Sequence, residues 1–165
     1  MKKKLKIGLD IDQVIADFNG GYVNRFGIRP EKDWVITRNV NHTLKYDKTF
    51  WLTLPVLRLP NFEPKLFCSA RVNNPRWTKQ YLKRNGLNSR LYQVNGYYAS
   101  KVDVLKHRKI DVFIDDAPHH FKALNENGIP CLLMDTPENR DIDTPLRIYS
   151  LDYKEIKRVY NKNFN

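Results

Sequence analysis

The sequence predicts an α/β fold: a Rossmann-like parallel sheet with helices on both faces and a small helical cap inserted after the first strand. Short apolar runs such as residues 112–114 are typical of strands buried within a sheet. From residue 64 onward, strand and helix signals alternate with few interruptions, which favours βαβ units and a parallel sheet. Two of the runs, in residues 9–14 and 112–116, also end in paired acids, at the position where open α/β sheets place their ligand sites.

The strands are predicted from the apolar runs, and the helices from their start and stop signals. Asn74 followed by Pro75 marks a helix start, and Gly86 marks its end. A capping box is expected at the start of the helix 100–106, and Gly128 ends another helix. The predicted strands are 5–9, 65–68, 90–94, 112–115, 130–134 and 147–149, and the predicted helices are 18–26, one that runs from 75 to the stop at 86, 100–106, 118–127 and one that starts at 152.

Between residues 17 and 63 this alternation stops. Aromatic residues and prolines concentrate there instead, and no clear strand follows the helix 18–26. The simplest interpretation is an insertion of two or three short helices that lies over the site. We therefore expect a core made of residues 1–16 and 64–165, with residues 17–63 as its cap.

Length and composition fit one ordinary domain. The chain has 165 residues, of which 41% are hydrophobic, so it can form a real core. No apolar stretch approaches the roughly 18 residues of a membrane span, and Asp10 and Asp12 interrupt the segment that a signal peptide would need. These features predict a cytoplasmic protein without membrane association. Cys68 and Cys131 lie inside apolar runs and are expected to be buried thiols.

The net charge of +11 has two interpretations. It can be a footprint for nucleic acid or for anionic substrates, or it can reflect a composition rich in lysine from end to end. The basic residues are spread over the predicted helices rather than clustered, which favours solvated helix faces. Nucleic acid therefore stays an alternative partner that the pattern does not favour.

Four acids follow the first and fourth predicted strands: Asp10, Asp12, Asp115 and Asp116. Carboxylates brought together at one sheet edge repel one another unless a cation neutralises them. A hard divalent metal held by Asp10 and Asp115 is therefore the first hypothesis. The alternative is that each pair caps a helix or begins a turn, and either run alone fits that alternative equally well.

Asp10 and Asp12 are two residues apart, so an extended chain directs both carboxylates to the same side. One acid can then attack a phosphate while the other moves protons, because a carboxylate nucleophile is a known solution to phosphoryl transfer. Ser69 follows the second predicted strand and offers a hydroxyl and nearby backbone N–H groups to phosphate oxygens. Lys101, at the start of a predicted helix, adds a positive charge. Alone, Ser69 would be an ordinary strand-end serine and Lys101 an ordinary solvated lysine. Together with the acids they follow the order acid, serine, lysine, acid.

This ordered set resembles the haloacid dehalogenase superfamily of phosphohydrolases. Its four motifs match residues 10–12, Ser69, Lys101 and residues 115–116, and together they span most of the chain. Within the superfamily, residues 10–18 are similar to the opening of the 5'(3')-deoxyribonucleotidase family. Two further segments are similar to that family's cap and to a late segment of its microbial and phage members: residues 50–55 and 137–140.

The resemblance implies a role for each matched residue near the phosphate. Asp10 is the implied nucleophile, and Asp12 is the implied general acid and base. The implied phosphate-binding residues are Ser69, Ala70 and Lys101.

The resemblance also implies a metal and a substrate wall. Mg²⁺ is expected to bind Asp10, the carbonyl of Asp12 and Asp115, while Asp116 orients a metal-bound water. The residues expected to pack against a base or sugar are aromatic: Phe18, Phe50 and Trp51. Trp51 is expected to stack on the base, with its indole N–H meeting water or substrate.

The sequence thus predicts a magnesium-dependent phosphatase of (deoxy)nucleoside monophosphates that works through an aspartyl-phosphate. Its alternatives are a phosphatase of another small phosphate ester or of a nucleic-acid terminus, and a non-catalytic basic nucleic-acid-binding module on the same scaffold. The residues leave open the base and sugar preference, the choice between 5' and 3' phosphates, and the oligomeric state. One departure from the family pattern is Gln13, which stands where many relatives carry glycine and is expected to alter the turn after Asp12.

Overall fold

The protein, seen as a computed structural model, is described for residues 4–165. Residues 1–3, which the predicted core includes, lie outside the described part. The described residues form a six-stranded, all-parallel sheet in the order β3-β2-β1-β4-β5-β6, which confirms the predicted fold class. The strands are β1 (Ile7–Leu9), β2 (Leu66–Ser69), β3 (Arg90–Gln93), β4 (Val112–Asp115), β5 (Cys131–Met134) and β6 (Arg147–Ile148).

Some helices begin where a short polar side chain satisfies a free N–H group, whereas the helix that starts at Val102 has no side-chain cap, so the capping box expected at its start does not form. Asp17, Asn74 and Asp152 each accept a backbone N–H of the helix that follows. Gly86 and Gly128, at φ +76° and +73°, follow the ends of two helices, as expected for glycine in the left-handed region. The helices are α1 (Phe18–Phe26), α2 (Asp33–His42), α3 (Lys48–Thr53), α4 (Pro75–Arg84), α5 (Val102–Lys106), α6 (Pro118–Glu126) and α7 (Tyr153–Phe164), with 3-10 turns at Leu44–Tyr46 and Pro137–Asn139.

Helices cover both faces of the sheet. On one face, residues such as Leu9 and Ile114 pack with Tyr81 of α4 and Ile156 of α7. On the other face, alternate strand residues pack with helices α5 and α6; they include Leu66, Cys68, Phe113 and Cys131. Cys68 and Cys131 are free, buried thiols, as expected. Among residues 4–165, no helix has the length and apolar character needed to cross a membrane.

The chain between β1 and β2 contains α1, α2, one 3-10 turn and α3. A cluster of aromatic side chains holds α1 and α3 together: the Phe18 and Phe50 ring centroids are 5.9 Å apart, and those of Phe50 and Trp51 are 5.0 Å apart. These helices contribute to the cleft described below. The division into a core and a cap at residues 17–63 stays a prediction.

The strand order places a topological switch point between β1 and β4. After β1 the chain adds β2 and β3 on one side, and it then crosses to place β4 on the other side of β1. Leu9 pairs with Ile114, and the N–H of Asp10 donates to the carbonyl of Ile114 at 2.9 Å. Asp10 and Asp115 therefore emerge side by side at the carboxyl ends of adjacent strands, where α/β sheets bind ligands.

Candidate active site

Three carboxylates converge at the switch point. Each of Asp10, Asp115 and Asp116 offers an oxygen, and these three oxygens all lie within 4.8 Å of one another. Asp10 and Asp115 are buried, whereas Asp116 is half-buried and lines a cleft. Three of the four sequence-predicted acids of the two strand ends are therefore brought together.

Lys101 joins the two buried acids. Its Nζ lies 2.9 Å from Oδ1 of Asp10 and 2.7 Å from Oδ2 of Asp115, and the side chain is only 1% exposed. Burial by itself lowers the pKa of Lys101, but the charges of Asp10 and Asp115 outweigh it and raise the pKa above its ordinary value. Lys101 therefore stays charged, and its position beside Asp10 is the one expected of a residue that favours the ionised nucleophile.

The three carboxylates carry more negative charge than Lys101 neutralises, and this excess charge is costly to bury. Burial raises the pKa of Asp10 to about 7; Lys101 opposes this rise, while Asp115 and Asp12 add to it. Burial, followed by the charges of Asp115 and Asp10, also raises the pKa of Asp116 well above its ordinary value. One lysine therefore does not neutralise the three carboxylates. Three hard oxygen ligands with an excess of negative charge fit a divalent cation such as Mg²⁺.

Asp12 does not join this cluster through its carboxylate, because Arg71 holds it. Oδ1 of Asp12 lies 2.7 Å from the Nη2 of Arg71, and the Nε of Arg71 reaches both carboxylate oxygens, at 3.0 and 3.2 Å. Arg71 is 3% exposed, and its guanidinium lies between the rings of Trp51 and Tyr81, 4.8 and 5.5 Å from their centroids. This bidentate pair sets the position of Asp12 in the cleft.

Arg71 is the residue that sequence reasoning missed. Arg71 follows Ser69 by two residues, and its backbone N–H donates to Oγ of Ser69 at 3.2 Å. The sequence signal for Arg71 is its position two residues after Ser69, which is expected to bind phosphate. In a chain with 29 lysines and arginines, that signal is weak.

The phosphate-binding residues implied by the sequence have unequal access to the cleft. Ala70 and Lys101 line it, but Ser69 is fully buried and is not among the lining residues. The carbonyl of Ser69 accepts the N–H of Val94, and that of Ala70 accepts the N–H of Gly96. These bonds fix the end of β2 against the loop that follows β3.

The turn after Asp12 has a left-handed backbone at Gln13, the position where the resemblance led us to expect an altered turn. Gln13 adopts φ +61°, in the left-handed region where glycine is favoured. Its side chain compensates by accepting the N–H of Asn19, at 2.9 Å, which ties the turn to the first residues of α1. Gln13 therefore makes a contact that glycine could not make.

A cleft of about 480 Å³ opens over these groups. The residues that line it include Asp10, Asp12 and Asp116 at the sheet edge, and Ile36 and Val40 of α2. This volume lies within the range of small-molecule sites, which is roughly 300 to 1,000 Å³.

The three aromatic residues predicted to meet the substrate differ in their access to the cleft. Phe18 and Trp51 line it, whereas Phe50 does not. Trp51 is 1% exposed, and its indole N–H donates to the carbonyl of Leu44 at 2.7 Å, so the expectation that this N–H meets water or substrate is wrong. Arg71 covers the ring at 4.8 Å, and the Phe18 ring lies 6.0 Å away. Trp51 thus packs the site and supports Arg71.

Comparison with known proteins supports the fold. The structure is similar to a haloacid dehalogenase-like family hydrolase from Streptococcus pneumoniae, with a TM-score of 0.50, 11% sequence identity, and coverage of 82% of this chain and 86% of that chain. No protein-family model matches the sequence, and the comparison with curated proteins gives no match. At this identity the likeness concerns the α/β fold alone.

Proposed function

We propose that this protein is a magnesium-dependent phosphatase of (deoxy)nucleoside monophosphates that acts through an aspartyl-phosphate. The observation that carries the proposal is the buried Asp10–Lys101–Asp115 arrangement, with Asp116 beside it at the switch point of the sheet. Burying so many charges is expensive and gives little net stability. Strongly shifted pKa values in a cleft are typical of functional sites.

Asp10 is the proposed nucleophile. Lys101 bonds one of its oxygens, Oδ1, at 2.9 Å, which leaves the second oxygen to attack phosphorus. The new bond joins Asp10 to phosphorus, the bond from phosphorus to the ester oxygen breaks, and its electrons leave with that oxygen. Water then attacks phosphorus, which releases inorganic phosphate and restores the Asp10 carboxylate.

The proposed metal ligands are a carboxylate oxygen each from Asp10 and Asp115 and the backbone carbonyl of Asp12, as the resemblance implies. A carboxylate oxygen of Asp116 lies within 4.8 Å of oxygens of Asp10 and Asp115, which supports adding Asp116 as a ligand in place of its expected role of orienting a metal-bound water. Asp115 is held in place because its Oδ1 accepts the N–H of Ala117 at 3.0 Å while its Oδ2 accepts Lys101. A bound Mg²⁺ supplies positive charge that reduces the repulsion between the Asp10 carboxylate and a phosphate dianion.

Asp12 is the proposed general acid and base. It gives a proton to the leaving ester oxygen in the first step and takes one from water in the second. Both of its oxygens are bonded to Arg71 in the structure, so proton transfer requires one of these bonds to be exchanged for the substrate. Arg71 thereby acts as a positioning residue for Asp12.

The size and lining of the cleft support a nucleotide-sized substrate. Its volume of about 480 Å³ exceeds what a phosphate alone needs, and its walls combine charged groups with apolar ones. A phosphatase of another small phosphate ester is the second candidate, favoured by the burial of Trp51, which removes one expected stacking surface.

The test is phosphate release from a panel of nucleoside monophosphates and sugar phosphates, measured with Mg²⁺ and again in excess chelator. We expect release that favours nucleotides, stops with the chelator and returns with Mg²⁺. Release from sugar phosphates alone would contradict the nucleotide assignment. Full activity in the chelator would contradict the metal, and no release from any ester would contradict the phosphatase.

A further inference from the structure

A second group of aromatic side chains borders the cleft, and it is accessible where the first group is not. Tyr97 and Tyr98 are 39% and 68% exposed, compared with 1% for Trp51. Tyr97 lines the cleft together with His120 of α6. These tyrosines lie in the loop between β3 and α5, outside the predicted cap.

The rings of Tyr97, Tyr98, His119 and His120 form one continuous group, which we call the aromatic rim. The Tyr97 centroid lies 4.9 Å from that of Tyr98 and 4.6 Å from that of His119. The His119 and His120 centroids are 4.0 Å apart. The aromatic rim therefore extends from a buried histidine at the cleft to a tyrosine that is mostly in solvent.

The aromatic rim is held in a fixed relation to the phosphate-binding residues. The N–H of Gly96, next to Tyr97, donates to the carbonyl of Ala70 at 3.1 Å. On the other side, the Nε2 of His119 lies 2.9 Å from the carbonyl of Tyr97. Lys101 follows Tyr97 by four residues. Tyr97 therefore lies next to the residue that bonds Ala70 and within a few residues of Lys101 along the chain. Ala70 and Lys101 are both expected to bind the phosphate.

One contrast separates the rim from ordinary surface tyrosines. Tyr149 is as exposed as Tyr98, at 67%, and neither residue lines the cleft, but within the described part of the chain Tyr149 has no ring contact with a residue that does. Tyr98 instead belongs to a set of rings in mutual contact that ends inside the cleft.

We propose that the aromatic rim binds the base of the nucleotide substrate by stacking, with Tyr97 as the first contact and Tyr98 as the outer one. This inference rests on the proposed function and places the base on the loop between β3 and α5 rather than on Trp51. Stacking on a tyrosine face is open to every base, because all bases have a π surface. The subsite therefore tolerates purines and pyrimidines alike.

The test compares one deoxynucleoside monophosphate with 2-deoxyribose 5-phosphate, which carries the sugar and phosphate without a base. The variants are Tyr97→Ala, Tyr98→Ala and Tyr97→Phe, with Tyr149→Ala as the matched control. We expect Tyr97→Ala to reduce the ratio of kcat/KM for the nucleotide to kcat/KM for the sugar phosphate by about 10-fold to 100-fold, mainly through KM. Tyr97→Phe, which keeps the ring, and Tyr149→Ala should preserve the ratio.

An unchanged ratio in both Tyr97→Ala and Tyr98→Ala would overturn the proposal. Tyr98 is so exposed that its variant is expected to fold, which keeps the test valid if Tyr97→Ala does not. Calorimetric binding of the same nucleotide separates this inference from the proposed function. Weaker binding in the rim variants would support the base subsite even without turnover, whereas equal binding in all variants would contradict it.

The same base can belong to a free nucleotide or to the end of an oligonucleotide. A 5'-phosphorylated trinucleotide is therefore assayed alongside the mononucleotide. A larger effect of Tyr98→Ala on the trinucleotide than on the mononucleotide would support the rim as a base subsite for a nucleic-acid terminus. An effect confined to the mononucleotide would support the free nucleotide.

Discussion

The two pairs of acids follow neighbouring strands, yet the structure gives their members different partners. The first acids, Asp10 and Asp115, share the buried Lys101. The second acids diverge: Asp12 forms a bidentate pair with Arg71, whereas no ion pair joins Asp116 to a cation within residues 4–165. Similar sequence patterns at two strand ends have therefore produced three different electrostatic positions, because Asp10 and Asp115 share one of them.

The spacing within each pair explains part of this difference. Asp10 and Asp12 are separated by Ile11, so the second acid reaches past the sheet edge toward the loop after β2, where Arg71 lies. Asp115 and Asp116 are adjacent, so Asp116 stays within 4.8 Å of the metal-ligand cluster. In the proposed mechanism, the pair at β1 divides attack and proton transfer, while the pair at β4 remains together for the metal.

The largest expected effect tests the role of the first acid at β1. Asp10→Asn should reduce turnover by at least about 100-fold, because an amide does not attack phosphorus. The measurement is phosphate release together with trapping of a labelled phosphoenzyme, and Asp103→Asn on α5 is a control. Near-normal turnover by a purified Asp10→Asn sample would refute the covalent mechanism.

The next effect tests whether Asp12 depends on Arg71. Arg71→Met should lower kcat by about 10-fold to 100-fold, because Asp12 loses its bidentate partner, and Arg71→Lys should give a smaller loss. A nucleotide, whose leaving alkoxide needs a proton, should suffer more than p-nitrophenyl phosphate, whose leaving group does not. Arg76→Met, at an exposed position on α4, is the control. Equal losses on both substrates would show that Arg71 only maintains the fold.

The smallest effect concerns the pH dependence of stability, which follows from the protonation of Asp10. In metal-free protein the pKa of Asp10 is raised to about 7, so the native state holds its proton more tightly than the unfolded state does. Between about pH 4 and pH 7 the native state therefore binds more protons, and the free energy of unfolding falls as the pH rises. In chelator, the Tm of the wild type should therefore fall relative to the Tm of Asp10→Asn as the pH rises over this interval. Addition of Mg²⁺ should reverse that shift, and a pH-independent difference would contradict it.

Much of the fold could be predicted because it depends on local signals. Helix α1 was predicted at residues 18–26 and occurs at Phe18–Phe26, since Asp17 marks its start and Gly27 follows its end. The buried strands were predicted within one or two residues because continuous apolar runs identify them. The meeting of Asp10 and Asp115 followed from a general property of parallel sheets, which needs no knowledge of the strand order.

The contacts that define the cleft could not be predicted, because they join distant segments. Arg71 lies between Trp51 and Tyr81, which are 20 and 10 residues away along the chain and belong to α3 and α4. The partner of the Trp51 indole, the carbonyl of Leu44, lies at the start of a 3-10 turn, outside the helix that carries Trp51. The residue type of Trp51 predicts a ligand contact. The sequence does not correct this prediction, because packing between distant segments leaves no periodic signal.

The stacking of Arg71 on Trp51 also has an optical consequence. Trp51 is one of three tryptophans, and Trp34 is 57% exposed. The guanidinium that lies 4.8 Å from the Trp51 ring centroid is the same group that binds Asp12. Any step that exchanges the bond between Asp12 and Arg71 for a bond to substrate changes the electric field on the buried indole. In a protein that carries both Trp34→Phe and Trp77→Phe, the fluorescence of Trp51 is therefore expected to report whether Asp12 remains bonded to Arg71 during a single turnover.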